Sequence, residues 1–227
     1  MKGKEIKGHR HIPYVGVQIT PQESSNKACE FLQLLSSRRS IREFSSKEVD
    51  KSILQDIIMT ASTAPSGANK QPWTFCAVSR QSLKEKIKEA AEAEERESYG
   101  GRMSDTWLKD LEPFGTDANK PFLSIAPWLI VVFKKAYDLG PSGDKLNNYY
   151  VSESVGIACG MLISAIHNAG LVTLTHTPSP MNFLAKVLDR PKNERPYLLL
   201  PVGYPADNVY VPDIGKKDAN EVITWYE

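Results

Sequence analysis

The sequence lacks the features that mark several classes of protein. It has only three cysteines in 227 residues, and Cys29, Cys76 and Cys159 are far apart, odd in number and set among apolar or helical residues. We therefore expect buried free thiols rather than a disulfide framework, which fits a reducing cytoplasm. The four histidines have no spacing typical of a metal site, and no glycine-rich dinucleotide fingerprint occurs.

Long apolar runs and an excess of charge of one sign are also missing. The longest apolar run, residues 128–133, is far shorter than a membrane span, and the first residues lack the apolar stretch of a signal peptide. The net charge is +1 and the isoelectric point is about 7.7, so no global field attracts nucleic acid or an acidic membrane. We expect a soluble cytoplasmic protein without a membrane or nucleic-acid partner.

The length and the hydrophobic content of 41% predict a single domain over residues 1–227. Segments 1–24 and 205–227 are rich in proline, glycine and charge, which indicates arms on a compact body. Residues 99–124 mix large apolar residues such as Trp107 and Phe114 with charges. This mixture is typical of a mobile lid over a site rather than of a core element.

Hydrophobic periodicity predicts helices and strands that alternate around one sheet. The helices are expected over residues 26–37, 49–61, 80–98, 149–168 and 181–188. The strands are expected over residues 72–79, 127–134, 171–175 and 197–202. In the first helix, Ala28, Phe31, Leu32 and Leu35 lie on one side, which predicts a packing face.

Two segments have chemistry suited to a phosphorylated, flat ligand. Residues 38–42 read Arg-Arg-Ser-Ile-Arg, which offers the donors that a phosphate needs; a basic helix end that complements the helix dipole is the alternative. Residues 63–73 form a loop of small residues whose backbone amides can approach a cofactor edge, although an ordinary helix-to-strand connection has the same composition. The two segments together are more specific than either alone.

These segments, with Leu-Pro-Val-Gly-Tyr-Pro at 200–205, resemble the FMN-dependent nitroreductase superfamily in motif and order. Four further segments resemble the iodotyrosine deiodinase branch, namely residues 149–150, 156–160, 168–173 and 175–178. The resemblance extends from about Arg10 to Lys217. It implies an α+β fold, a three-layer α/β/α sandwich with a mixed, mostly antiparallel sheet, in an intertwined homodimer whose terminal arms wrap the partner.

The resemblance also implies which residues bind FMN. The implied contacts come from Arg38, Arg39, Ser40, Arg42, Pro65, Ser66, Gly67, Thr175, His176, Thr177 and Lys217. His176 replaces the threonine of the animal enzymes, which matters little if its backbone makes the contact. Lys217 replaces an arginine and loses the bidentate fork, so this contact is the weakest of the set.

A second implied set selects the substrate. Glu95 and Tyr99 lie four residues apart on one helix face and Lys120 follows in the lid; together they suit an amino-acid zwitterion. On composition alone, Glu95 belongs to a run of glutamates that is typical of a solvated face. The resemblance further implies that the Ala68 amide binds a phenolate oxygen.

Thr177 is the implied catalytic residue. Its hydroxyl is expected on flavin N5, where it favours one-electron steps over hydride transfer; a strand-end threonine bonded to backbone is the alternative. The implied activity is reductive dehalogenation of halotyrosines, with electrons from NAD(P)H directly or through a partner reductase. A broad nitroreductase or flavin reductase, and a non-catalytic flavoprotein that binds tyrosine-like ligands, are the alternative functions.

Overall fold

The computed structural model describes residues 3–227, so the first two residues of the predicted N-terminal arm lie outside the described part. The chain forms two compact units, Met1–Arg38 and Arg39–Glu227. In the first unit, strands β1 (Lys4–Ile6) and β2 (His9–His11) pair antiparallel. Helix α1 (Pro21–Ser36) follows them.

Helix α1 begins five residues before its predicted start because a capping signal precedes the apolar pattern. Thr20 accepts a hydrogen bond from the Glu23 amide, and Glu23 accepts one from the Thr20 amide. The prediction that α1 has a packing face is wrong for the single chain. No residue of α1 is buried, and Phe31 and Leu32 are 54% and 67% exposed. Cys29, on the same helix, is exposed rather than buried, while all three cysteines are free.

The second unit contains the remaining elements. Its helices are α2 (Lys51–Ser62), α3 (Gln81–Glu97), α4 (Asp105–Leu111), α5 (Phe122–Ile125), α6 (Val151–Asn168), α7 (Asn182–Val187) and α8 (Ala219–Val222). Its strands are β3 (Trp73–Val78), β4 (Trp128–Lys135), β5 (Tyr137–Leu139), β6 (Lys145–Asn147), β7 (Val172–Thr173) and β8 (Glu194–Gly203). The hairpins β1–β2 and β5–β6 and the short helices α4, α5 and α8 were not predicted from the sequence.

The main sheet has the order β3-β4-β8-β7, and all its strand pairs are antiparallel. A parallel bridge between Ser40 and Thr173 makes the sheet mixed. Buried side chains alternate along β4: Ile130 and Val132 pack with α2 and α6, while Leu129, Val131 and Phe133 pack with α3, α5 and α7. The predicted three-layer α+β architecture is confirmed.

The end of the predicted lid belongs to the core. Lys120 and Phe122 are each 4% exposed, and Leu123 is fully buried. The reason is that α5 packs against Ile87 and Ala91 of α3 in the same apolar cluster. The residues before Lys120 are mostly exposed, as expected of a covering segment, and Trp107 is 51% exposed.

Candidate active site

Helix α3 supplies a carboxylate to the interior. Its buried residues are Lys84, Ile87, Ala91 and Glu95, which recur at helical spacing on one face. Glu95 is 7% exposed, whereas the side chain of Glu97, two residues later, is 70% exposed. The solvated-face alternative is therefore wrong for Glu95. A π-turn, Ser98–Arg102, follows the helix and carries Tyr99.

Lys120 meets both predicted partners from α3 and its π-turn. Its Nζ lies 3.8 Å from Glu95 Oε2 and 5.6 Å from the centre of the Tyr99 ring. Lys120 Nζ also donates to Thr116 Oγ1 at 3.1 Å and to the carbonyl of Asp117. The Tyr99 hydroxyl donates to the Thr116 carbonyl at 3.1 Å. The three predicted substrate residues thus form one cluster.

Burial dominates the electrostatics of this cluster. Burial raises the pKa of Glu95, and the nearby Lys120 opposes that rise. Burial lowers the pKa of Lys120, while Glu95 and Asp117 raise it and Arg42 lowers it. Burial also raises the pKa of the Tyr99 phenol. Each charge is poorly solvated, so an oppositely charged ligand group gains more here than in water.

His176 packs behind the cluster. Its Nδ1 lies 3.9 Å from Glu95 Oε1, and its ring meets the Phe122 ring edge to face at 5.6 Å. Its Nε2 is buried and has no hydrogen-bond partner among residues 3–227. Burial, followed by the charges of Lys120 and Arg42, lowers the pKa of His176 to about 3. The imidazole is therefore neutral at physiological pH.

The side chains of residues 175–177 point alternately outward and inward, so His176 and its two neighbours lie on opposite sides of the backbone. His176 is buried, whereas Thr175 and Thr177 are exposed, so the two threonine side chains face away from the Glu95 side. The His176 amide donates to Leu199 at 2.9 Å, and its carbonyl accepts from the Leu199 amide at 3.2 Å. The His176 N–H is thus already used inside the sheet.

The arginine segment lies beside the same strand. The Ile41 amide donates to the Thr173 carbonyl at 3.1 Å, next to the parallel bridge at Ser40. This pairing aligns residues 39–42 with β7 and with the threonines that follow it. Arg39 donates to the carbonyl of Pro212. Across residues 3–227, no carboxylate pairs with Arg39 or Arg42.

The small-residue loop has a strained backbone. Ala68, Asn69 and Gln71 have positive φ angles of 49°, 53° and 47°, a conformation that non-glycine residues adopt at a cost. The Ser66 hydroxyl accepts from the Gln71 amide at 2.9 Å, which stabilises the loop. Within the described chain no acceptor is found for the Ala68 amide, so this N–H is available to a ligand.

Gly67 leaves little room for a side chain. A Cβ at this position would lie 3.0 Å from the Tyr149 carbonyl and 3.0 Å from the Tyr150 ring. The Gly67 amide also points at the Ser154 hydroxyl at 3.4 Å. The loop therefore packs closely against the residues that precede α6, and a side chain at Gly67 would require these residues to shift.

Comparison with known proteins decides the family. The nitroreductase family profile matches residues 35–204. An iodotyrosine deiodinase of Haliscomenobacter hydrossis is 61% identical over 95% of this chain and 97% of its own length. The iodotyrosine deiodinase of Danio rerio is 44% identical over 94% of this chain and 72% of its own length. The chain belongs to the nitroreductase family, in its iodotyrosine deiodinase branch.

A solved structure of the same branch agrees. Oxidised iodotyrosine deiodinase bound to FMN and 3-iodo-L-tyrosine superposes with a TM-score of 0.72 at 31% identity, covering 87% of this chain and 98% of that one. The residues of this family member fit FMN on their own chemistry. Arg39 and Arg42 are partly buried cations without a carboxylate partner in the described chain, and the adjacent Ser40 adds a hydroxyl. Such a donor set suits a phosphate monoester.

Two further residues are implied FMN contacts, Arg38 and Lys217. Arg38 is the last residue of the N-terminal unit, next in the chain to Arg39. Lys217 lies in the exposed C-terminal segment, and it has no hydrogen bond or ion pair within the described residues. Both remain predictions for this family member.

Sequence reasoning missed three residues that organise the substrate cluster. Thr116 and Asp117 provide acceptors to Lys120, and Glu92 accepts the Lys120 amide at 2.7 Å. Nothing in their local pattern marks them, since each belongs to a charged or polar stretch. Only the contact with Lys120 identifies them.

Residues 3–227 contain neither a candidate metal-binding cluster nor a candidate membrane-spanning helix. No group of three or more histidine, cysteine, aspartate or glutamate side chains could hold a metal ion there. No helix among them is long and apolar enough to span a membrane.

Proposed function

We propose that this protein is an FMN-dependent iodotyrosine deiodinase that reductively removes halogen from halotyrosines. The observation that carries the proposal is the buried cluster of Glu95, Tyr99 and Lys120. A cation and an anion, both more than nine-tenths buried and 3.8 Å apart, complement the two charges of an amino-acid zwitterion. A nitroaromatic or a free flavin has no such pair of charges.

The cluster binds the substrate by exchange of partners. The ammonium of the amino acid pairs with Glu95, and its carboxylate pairs with Lys120, so each buried charge gains a ligand partner. Tyr99 and Thr116 line the same place. The Ala68 N–H then donates a hydrogen bond to the phenolate oxygen at the other end of the ligand. These contacts orient the ring and exclude water from it.

Arg38, Arg39, Ser40, Arg42 and Lys217 hold the FMN phosphate in this proposal. Pro65, Ser66, Gly67, Thr175 and His176 contribute further cofactor contacts, with His176 limited to packing or its carbonyl because Leu199 takes its amide. Thr177, exposed as Thr175 is, would place its hydroxyl at flavin N5. When bound, FMN would supply electrons one at a time, and NAD(P)H would replenish them directly or through a partner reductase.

The overall chemistry is balanced without a protein nucleophile. In 3-iodotyrosine, the carbon–iodine bond breaks, a carbon–hydrogen bond forms and iodide leaves. The reaction consumes two electrons and one proton per iodide. The residues of this chain bind the zwitterion, orient the ring and hold the phenolate.

The direct test is anaerobic titration of the dithionite-reduced FMN protein with 3-iodotyrosine, following flavin reoxidation and iodide release. One iodide per reoxidised flavin supports the proposal. Reoxidation by nitroaromatics alone identifies a broad nitroreductase or flavin reductase instead. Tight binding of iodotyrosine with no reoxidation identifies a non-catalytic binding protein.

The Glu95→Gln variant tests whether Glu95, Tyr99 and Lys120 form a zwitterion clamp, that is, a site that binds both charges of the amino acid. Loss of the charge–charge contact is expected to lower kcat/KM for 3-iodotyrosine by about 10- to 100-fold, the factor given by a hydrogen bond to a charged group. Turnover of a nitroaromatic, which lacks the zwitterion, is expected to change little. Glu89→Gln is the matched control, because Glu89 is an exposed glutamate of the same helix. Equal losses on both substrates would contradict the clamp.

A homodimer is part of the proposal. Its support is the exposed apolar surface of both arms: Tyr14 and Val17 are 94% and 86% exposed, and Trp225 and Tyr226 are 75% and 94% exposed. Surfaces of this kind are normally covered by a partner. A second copy of the chain is the partner we propose. A monomer in sedimentation at working concentration would contradict it.

The three free thiols support a reducing compartment, and we propose the cytoplasm.

A further inference from the structure

Lys120 is held at both of its ends by helix α3. Its ammonium lies 3.8 Å from Glu95 Oε2, and its backbone amide donates to Glu92 Oε1 at 2.7 Å. The two carboxylates are three residues apart, so they lie on neighbouring parts of one helix face. Helix α3 thus fixes the positions of both the backbone amide and the side-chain ammonium of Lys120.

The other end of α5 is fixed by the same helix. Lys84 Nζ donates to the carbonyls of Ser124 and Ala126 at 3.0 and 2.8 Å. These carbonyls lie at the C-terminal end of α5, while Lys120 precedes its N-terminal end, so α5 runs antiparallel to α3. The Glu92 carboxylate accepts from the N–H that precedes α5, and the Lys84 ammonium donates to the carbonyls at its C-terminal end. This arrangement of charges stabilises helix ends.

Lys84 is unusual because it is buried without a carboxylate partner. It is 4% exposed, and no acidic group pairs with it in the described part of the chain. A lysine placed this deeply has to be satisfied by fixed dipoles. The two carbonyls of the α5 segment provide them.

We propose that Glu92 and Lys84 form a brace that positions Lys120 for the carboxylate of the substrate. The brace consists of the Glu92 contact at one end of α5 and the Lys84 contacts at the other. Glu92 is a positioning residue, because it acts through the Lys120 backbone and not on the ligand. This inference rests on the proposed function only for the identity of the ligand.

The decisive variant is Glu92→Ala, compared with Glu92→Gln in the FMN-bound protein. The measurement is the ratio of kcat/KM for 3-iodotyrosine to that for 2-iodophenol, which has neither ammonium nor carboxylate. We expect Glu92→Ala to lower this ratio by about tenfold, through KM for iodotyrosine, as loss of one hydrogen bond in the site predicts. Glu92→Gln keeps an oxygen acceptor for the amide and restores most of the ratio.

Glu89→Ala is the matched control, since it removes the same charge from an exposed position of α3, and its ratio is expected to equal that of the wild type. If Glu92 had a merely structural role, Glu92→Ala would lower kcat/KM for both substrates equally. That outcome, or a failure of Glu92→Gln to rescue the ratio, would overturn the inference. If the wild type itself has no preference for iodotyrosine, the proposed function fails instead.

Hydrogen exchange tests the brace without reference to any substrate. The Lys120 amide, followed by NMR in the FMN-bound protein, is expected to exchange at least about tenfold faster in Glu92→Ala than in the wild type, because its acceptor is gone. Exchange in Glu92→Gln stays close to that of the wild type. An unchanged exchange rate in Glu92→Ala would refute the brace even if the protein dehalogenates iodotyrosine.

Discussion

The buried histidine behind the substrate cluster makes a quantitative prediction about stability and pH. His176 has a pKa of about 3 in the folded chain, against an ordinary value of 6.5. Its buried ring is surrounded by Glu95, Lys120 and Arg42, of which the two cations oppose protonation. Replacing it with glutamine removes this titration. The fold is then expected to lose less stability in acid than the wild-type fold does.

The sign and the size follow from proton linkage. Above about pH 7.5 the imidazole is neutral in both states and contributes nothing. Below 6.5 only the unfolded chain takes up the proton, so stability falls as pH falls, until the folded pKa near 3 is reached. At pH 5, proton uptake by the unfolded chain favours unfolding by a factor of about 30, which lowers the free energy of unfolding by roughly 2 kcal/mol.

The assay is urea unfolding by tryptophan fluorescence at fixed protein concentration and excess FMN, at pH 7.5 and pH 5. The free energy of unfolding should drop by about 2 kcal/mol more in the wild type than in His176→Gln over this interval. The raised pKa of Glu95 acts in the opposite direction, but Glu95 is present in both proteins. His9→Gln, which alters an exposed histidine, serves as the control and should parallel the wild type.

Parallel curves for the wild type and His176→Gln would refute the reasoning. They would mean that the His176 ring is protonated in the folded state at pH 5, and hence that it is solvated or paired with a charged Glu95. In that case the neutral imidazole assigned to this site would be wrong.

Two further predictions concern the stability contributed by Lys84 and the dimer contact proposed for α1. Lys84→Met is expected to lower the free energy of unfolding by about 2 kcal/mol in urea, because the carbonyls of Ser124 and Ala126 lose their donor; an unchanged stability would mean that water replaces the ammonium. Phe31→Glu places a charge on the exposed apolar face of α1 and is expected to shift sedimentation from dimer to monomer, whereas Glu30→Gln on the same helix should not. A stable Phe31→Glu dimer would exclude this face from the interface.

The sequence determined the elements of the sheet and its helices with small errors at their ends. Residues 128–133 of β4 are apolar without interruption because both faces of this part of the strand are buried. Helix α2 was predicted within two residues of its bounds, because its apolar residues repeat at helical spacing after an N-capping Asp50. The order of the motifs along the chain also predicted the family, since each motif is local and can be read without its contacts.

Only the tertiary structure decided which charges matter. Glu92, Glu94, Glu95 and Glu97 belong to one glutamate-rich stretch, yet Glu95 alone among them is buried. Glu95 differs because it continues the buried face of α3 that contains Ile87 and Ala91, where it meets the distant Lys120. Similarly, nothing local indicates that His176 turns toward Glu95 while both neighbouring threonines face outward. Burial and long-range pairing depend on how distant segments pack, and this information is absent from any short window of sequence.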